Sequence, residues 1–397
     1  MVHRRSWFGL AAGLALSACV AAPRGPGYVT GQPPGGPASP TAKIGLLVPL
    51  TGANAELGRG LLQAAQLALD LPDSPALDVR DTGGTAKGAE AAARLALAAG
   101  AGIIIGPLTL SETQAVAPLT RAANVPMLAF TSDEAQAQPG VWPLGITPAQ
   151  QVRRLMQAVQ EDGRGRVAAV LPQNPFGDAL ATGLQASTGG LEAPRIVRYP
   201  GATPLATALN DVADTATRHP KADPLLQPDL ATPAPPVSPL PFDTLLIGAA
   251  GASLMQALPL AKYDIAPPGP AGAGVRVLGP GLWARDDAKL GALAGAWFAT
   301  PDPAARGPFN RMYSAKYRAQ PREFTSVAFD AVTIARLVAQ QGFAAESLMR
   351  PDGFNGADGQ IALGPDGQVR RGLVVMELDQ KGSHIVRPAP GSGAAPS

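Results

Sequence analysis

One cysteine, Cys19, occurs in 397 residues, which excludes an intrachain disulfide. An exported domain built from this chain must therefore hold together by packing alone. Histidine is almost as scarce: His3, His219 and His384 lie far apart, and none stands in a nucleophile or metal constellation. Charge of either sign is not in excess. The formal net charge is +2 and the basic residues are scattered, so the chain lacks the footprint of a nucleic-acid binder. No phosphate loop and no G-x-S-x-G elbow occurs. The glycine-rich GPAGAGV (269–275) follows no strand and reads as a loop. DGFNGADG (352–359) misses the EF-hand spacing and reads as a turn-rich hairpin. No catalytic group, cofactor or metal is expected, and the chain is read as a non-enzyme. Past the first twenty residues, no apolar run is long enough to span a bilayer.

What is present begins at the N-terminus. His3, Arg4 and Arg5 precede the apolar run WFGLAAGLAL (7–16), which has the length of a signal-peptide core. Small residues Ser17 and Ala18 follow, and then Cys19. Leu16-Ser17-Ala18-Cys19 resembles the lipobox of bacterial lipoproteins. That resemblance implies cleavage after residue 18 and a lipid on the Cys19 thiol, with Val20 favouring the inner leaflet of the outer membrane. The alternative is a small apolar residue in an ordinary secretory signal cleaved near Ala21-Ala22. Arg4-Arg5 with Phe8 leaves Sec and twin-arginine export both open.

Residues 19–42 are rich in proline and glycine and read as a tether. The pattern then changes. KIGLLVPL (43–50) is a continuous apolar run, as expected of a parallel strand covered on both faces. Leu57, Leu61, Ala65, Ala68 and Leu69 follow at helical spacing. The unit recurs through strands at 77–80, 102–106 and 125–130, with helices at 85–99 and 111–123, the second capped by Ser111. A helix at 148–161 leads into RVAAVLPQNPFGDALATGLQA (166–186), which repeats the logic of the opening unit and suggests two similar lobes. Strands at 195–199, 242–248 and 275–278 alternate with helices at 204–217 and 252–263. Two helices, 309–318 and 326–341, and a β-rich end at 359–382 with a Pro-Asp-Gly turn complete the reading.

In this order, KIGLLVPLTG, GAGIIIGPLTLSETQAVAPLTRAANVPMLAFTSD (100–133), GVWPLGITPAQQVRRLM (140–156), RVAAVLPQNPFGDAL and FNGADGQIALGPDGQVRRGLVVMEL (354–378) resemble the type 1 periplasmic binding proteins of the leucine-binding group. Within that group the chain is most similar to penicillin-binding protein activator lipoproteins. The resemblance implies an α/β fold of two Rossmann-like lobes with parallel sheets joined by three crossovers, near residues 147, 301 and 350. The first lobe would be 43–147 plus 302–350. The second would be 148–301 plus 351–388, interrupted by a Pro-rich insert at 220–241, with a disordered tail from 389.

In open α/β sheets, ligands meet the carboxyl ends of the strands. The residues expected there are Thr51, Gly52, Thr109, Ser111, Thr131, Ser132, Asp133, Asn174, Phe176, Ala250 and Trp283. Ordinary cap and turn chemistry is the competing account of each. In amino-acid-binding members of the family, hydroxyls of the first lobe hold the ligand carboxylate and an acid of the second holds its ammonium. Here Leu110, Asp133 and Gly281 fall at those positions, so binding of a zwitterion is not expected. The insert reads as a solvated loop, or else as a docking arm anchored by Leu225, Leu226 and Leu230. The resemblance implies a periplasmic lipoprotein that contacts a penicillin-binding protein, a peptidoglycan synthase. The alternative is a receptor that delivers an amino acid or related solute to an ABC permease.

Overall fold

The computed structural model describes residues 43–200, 205–214, 240–257 and 274–390. Cys19, the signal, the tether, the insert up to residue 239 and the tail from 391 lie outside the described residues.

The first lobe is built from β1 (Lys43–Val48), α1 (Ala55–Ala68), β2 (Ala76–Asp81), α2 (Ala86–Ala98), β3 (Ile103–Ile105), α3 (Leu110–Ala122), β4 (Met127–Ala129) and β5 (Val141–Pro143). Its five strands run parallel in the order β2-β1-β3-β4-β5. Ile44, Leu46 and Val48 of β1 face one side of this sheet and Leu47 the other; both sides are covered, which is why the strand reads as an unbroken apolar run.

The second lobe contains α4 (Pro148–Glu161), β6 (Val167–Pro172), α5 (Pro175–Ser187), β7 (Arg195–Tyr199), α6 (Leu205–Val212), β8 (Thr244–Ile247), α7 (Gly251–Ala257), β9 (Arg276–Gly279) and β10 (Trp297–Pro301). After β10 come α8 (Gly307–Tyr317), α9 (Ser326–Val338) and α10 (Ala345–Leu348), which pack against the first sheet. The chain ends through β11 (Phe354–Gly356), β12 (Gly359–Leu363), β13 (Val369–Arg371), β14 (Leu373–Leu378) and β15 (Ser383–Arg387). The second sheet has the order β15-β14-β10-β9-β8-β6-β7, parallel from β7 to β10 and antiparallel at β14 and β15.

The two parallel sheets with flanking helices bear out the expected α/β class. The chain crosses between them after Pro143, after Pro301 and at Gly372. The third crossing corrects the expectation near residue 350. Phe354, Ile361, Leu363 and Val369 of the β11–β13 meander are buried in the core of the first lobe, and only β14 and β15 join the second sheet. Trp142 seals this seam by donating its Nε1–H to the Gly364 carbonyl at 2.8 Å.

The echo between the two opening units has a packing cause. A Cβ on Gly58 in α1 would stand 1.8 Å from the Pro49 carbonyl oxygen, and one on Gly177 in α5 would stand 2.0 Å from that of Pro172. In each lobe the helix that follows the opening strand rests directly on the end of that strand. Only glycine permits that approach.

Candidate functional site

In the loops that follow the carboxyl ends of the strands, local cap chemistry has claimed most of the polar groups. Thr51 donates its N–H and Oγ1–H to the Asp81 carboxylate, at 3.2 and 2.7 Å. Desolvation opposes the ionisation of Asp81, but hydrogen bonds from Thr51, Gly83 and Leu50 together outweigh it and hold its pKa below the ordinary value. Gly52 has φ +79°, and a Cβ there would meet the Gly83 carbonyl at 2.8 Å.

The cap of α3 is Thr109, which corrects the assignment to Ser111. Thr109 Oγ1 accepts from the Glu112 N–H at 3.3 Å, and Glu112 Oε2 accepts from the Thr109 N–H at 2.9 Å. Glu112 is buried and also accepts from Thr82 Oγ1 at 2.5 Å. Ser111 is exposed beside this box, 3.4 Å from Thr109 Oγ1. Buried Thr131 accepts from the Asp133 N–H at 3.2 Å, and Asp133 caps the short helix Glu134–Gln136 through the Ala135 N–H at 3.0 Å. Asn174 caps α5 through the Gly177 N–H at 2.9 Å. Ala250 packs against the second lobe's core. Trp283 is buried in that core, and its Nε1–H donates to the Ala249 carbonyl at 2.8 Å.

The cavity between the lobes, about 430 Å³, is lined by residues of the crossover segments. Of the expected residues, Ser132 and Phe176 line it; Thr51, Gly52, Thr109, Ser111, Thr131, Asp133, Asn174, Ala250 and Trp283 are not in its lining. Gly281 and Leu282 line it as well, so the strand-end segment that carries Trp283 does reach the gap while the indole turns inward. Much of the wall is apolar, with Leu144, Ile146, Pro148, Phe176, Phe324 and Val327 contributing.

The charged lining groups are paired with one another or with a neighbour. Arg285 of the second lobe pairs with Glu323 of the first across the opening. Arg306 Nε donates to Asp358 Oδ1 at 2.6 Å, and Ser326 Oγ donates to Asp358 Oδ2 at 2.7 Å. Arg371, whose side chain is 1% exposed, donates to the Leu144 carbonyl at 3.1 and 2.6 Å and to Asp330 Oδ2 at 3.3 Å. Asp330, fully buried, also accepts from the Ala357 N–H at 2.5 Å. Burial pushes the Asp330 pKa up to about 6 against the pull of Arg371. The same burial acts on Asp358, but the hydrogen bond and charge of Arg306 prevail and lower it.

At the position where amino-acid-binding relatives are expected to carry an acid, the Gly281 N–H donates to Gln151 Oε1 at 2.7 Å. A Cβ there would meet the Ala299 carbonyl at 2.8 Å. The space an acidic side chain would need is taken. Among the described residues, no cluster of three His, Cys, Asp or Glu side chains stands ready to hold a metal ion.

Sequence reasoning missed Gln151, Arg285, Arg306, Glu323, Asp358 and Arg371. Their pairings join residues 38, 41, 52 or 130 positions apart, and no local motif records them. Asp358 sits inside the DGFNGADG stretch, whose turn character hid a buried carboxylate.

The profile of the periplasmic binding protein family matches residues 41–383. The chain belongs to the periplasmic binding protein family. Solved structures agree on the fold of this periplasmic binding protein. A protein assigned to a branched-chain amino acid ABC transporter of Rhodospirillum rubrum superposes with a TM-score of 0.70 at 18% identity, over 87% of this chain and 100% of the other. A leucine-binding protein, LivK, of Thermotoga maritima gives 0.56 at 18% identity, over 89% and 100%. The C-domain of LpoA from Haemophilus influenzae, a regulator of PBP1A, gives 0.63 at 15% identity, over 87% and 100%. These neighbours bear out the resemblance to the type 1, leucine-binding-like group and include both transport and regulatory proteins. No curated protein matches the sequence.

Proposed function

We propose that this periplasmic binding protein is a lipid-anchored regulator that promotes peptidoglycan synthesis by contact with a penicillin-binding protein, and that its cleft does not serve free amino acids. The observation that supports this reading is the occupied acid position: Gly281 lies against Ala299 and is hydrogen-bonded to Gln151. The charged groups around it are likewise consumed within the protein. A zwitterion entering the cleft would bury a carboxylate and an ammonium without free partners, which costs several kcal/mol. A loss of about 4 kcal/mol turns a micromolar receptor into a millimolar one.

The anchor is proposed from Leu16-Ser17-Ala18-Cys19, and Val20 supports the inner leaflet of the outer membrane as its destination. Two or more acyl chains hold a protein firmly, whereas one binds marginally. Cys19→Ser is expected to release the protein from the membrane fraction or stall its processing. A mature wild-type protein whose mass carries no lipid contradicts the anchor.

One observation favours a second reading, a solute receptor for an ABC permease. The cavity is of ligand size and largely apolar, and Ser132 and Thr300 place hydroxyl-bearing side chains in its lining. Such a site suits a neutral or aromatic solute better than an amino acid. Calorimetry of the purified protein against amino acids, aromatic acids and muropeptides separates the two readings. Micromolar heat from any α-amino acid or aromatic acid overturns the regulator and supports the receptor. No such heat, with a penicillin-binding protein recovered from membranes by pull-down, supports the regulator.

A further inference from the structure

The outer face of the first lobe carries a second depression, about 510 Å³, between α1, α8 and α9. Phe329 forms part of its wall and leans on Phe309, with ring centroids 5.1 Å apart. Leu71 and Met312 line it while remaining 53% and 44% exposed, an unusual state for two large apolar side chains that are neighbours in one groove.

The charges in its wall do not balance. Lys316 Nζ pairs with Asp70 Oδ2 at 2.9 Å. Arg336 has no acidic partner among the described residues, and its Nε is covered without an acceptor. Thr333 Oγ1, one turn earlier on the same helix face, is also covered and unpartnered. Burial of Arg336 acts against its charge. A partly dehydrated guanidinium without a counter-ion is costly, and a carboxylate bound to it in a forked hydrogen bond recovers that cost.

We propose that this groove docks a segment of a partner protein that presents an apolar side chain beside a carboxylate. The apolar group seats among Leu71, Met312 and Phe329, and the carboxylate pairs with Arg336. The inference rests on the reading that the chain acts through protein contact, and adds the surface and the chemistry of the segment it takes. Charge complementarity selects this occupant. With Asp70 and Lys316 cancelling, the lining carries one uncompensated positive charge. A second copy docked groove to groove about a two-fold axis would oppose like charges.

The test uses the full lipidated chain with a photo-crosslinking amino acid in place of Met312, irradiated in the intact envelope. Crosslinked peptides are identified by mass spectrometry, and stimulation of the purified peptidoglycan synthase is assayed in parallel. The expected crosslink falls on a partner segment bearing an Asp or Glu. Arg336→Glu lowers its yield about tenfold or more, the effect of losing one close charge pair. Exchanging that partner acid for Lys restores the yield. Leu71→Glu, a change at an exposed position that leaves the core intact, gives the same loss should Arg336→Glu fold poorly. The proposal is overturned by a crosslink to a second copy of this chain, by a crosslinked segment without an acid, by a yield indifferent to both variants, or by no crosslink at all. Synthase stimulation that survives both variants removes the groove and leaves the proposed function standing. Absence of stimulation by the wild-type protein removes the function itself.

Discussion

Gly281 is the residue on which the proposed reading of the cleft turns. Its N–H is held by Gln151 at 2.7 Å, and a Cβ would come within 2.8 Å of the Ala299 carbonyl. Gly281→Asp is therefore expected to destabilise the fold by about 1–3 kcal/mol through overpacking, without conferring leucine binding. Denaturant unfolding and calorimetry on the variant check both parts. A second residue-scale prediction concerns Asp330. Its folded pKa is near 6 against an ordinary 3.8, so between those values the folded state binds more protons than the unfolded state. Its contribution to stability is largest below pH ~4, falls as pH rises through 6 and is level above, spanning on the order of 2–3 kcal/mol. Asp358 runs the other way: its lowered pKa gives stability that is present above 3.8 and lost as pH falls through the depressed value. Asp330→Asn should flatten the decline between pH 4 and 6 in unfolding curves; a decline of unchanged steepness contradicts the assignment.

At the scale of elements, the opening loop of α3 shows how a sequence signature can be read for the wrong purpose. Thr109 and Ser111 look like hydroxyls offered to a ligand, yet Thr109-x-x-Glu112 closes a capping box. Thr109→Ala is expected to cost about 1–2 kcal/mol of stability and to leave partner binding unchanged. Thermal unfolding with a binding assay checks this, and a loss of binding without a loss of stability would return Thr109 to the site. Most elements were legible because their causes are local. β1, β3 and β6 are unbroken buried runs, α2 and α4 begin at Thr85 and Thr147 caps, and the Gly367 turn has φ +83°. β10 escaped notice because Trp297–Pro301 is a short run that follows three single-turn helices instead of a long one. The β11–β13 meander was assigned to the wrong lobe for a different reason. Its alternation is readable, but which core takes Ile361 and Val369 is a long-range fact. The cleft was least legible, because its ion pairs join residues 38, 41 and 52 positions apart that only the folded chain brings together.

At the scale of the whole molecule, the lobes are joined at the base by a buried bond and at the opening by an exposed pair. Gln150 Nε2 of the second lobe donates to the Val369 carbonyl of the first at 2.7 Å, and both residues are buried. Arg285 and Glu323 meet where their side chains are 60% and 59% exposed, and such pairs contribute about 0–1 kcal/mol and weaken with salt. Opening about the base should therefore be easy. Arg285→Ala is expected to leave stability within about 0.5 kcal/mol and to widen the inter-lobe distance distribution read by spin labels on the two lobes. High salt should mimic it in the wild type, and a distribution unmoved by either contradicts the role of that pair. The account as a whole stands on contact with a synthase, and the rate of glycan-strand polymerisation tests it most directly. A purified penicillin-binding synthase from the same cells is assayed with and without the mature protein. The account predicts a higher rate that saturates with added protein and is indifferent to added leucine. A rate unchanged at saturating protein would contradict it.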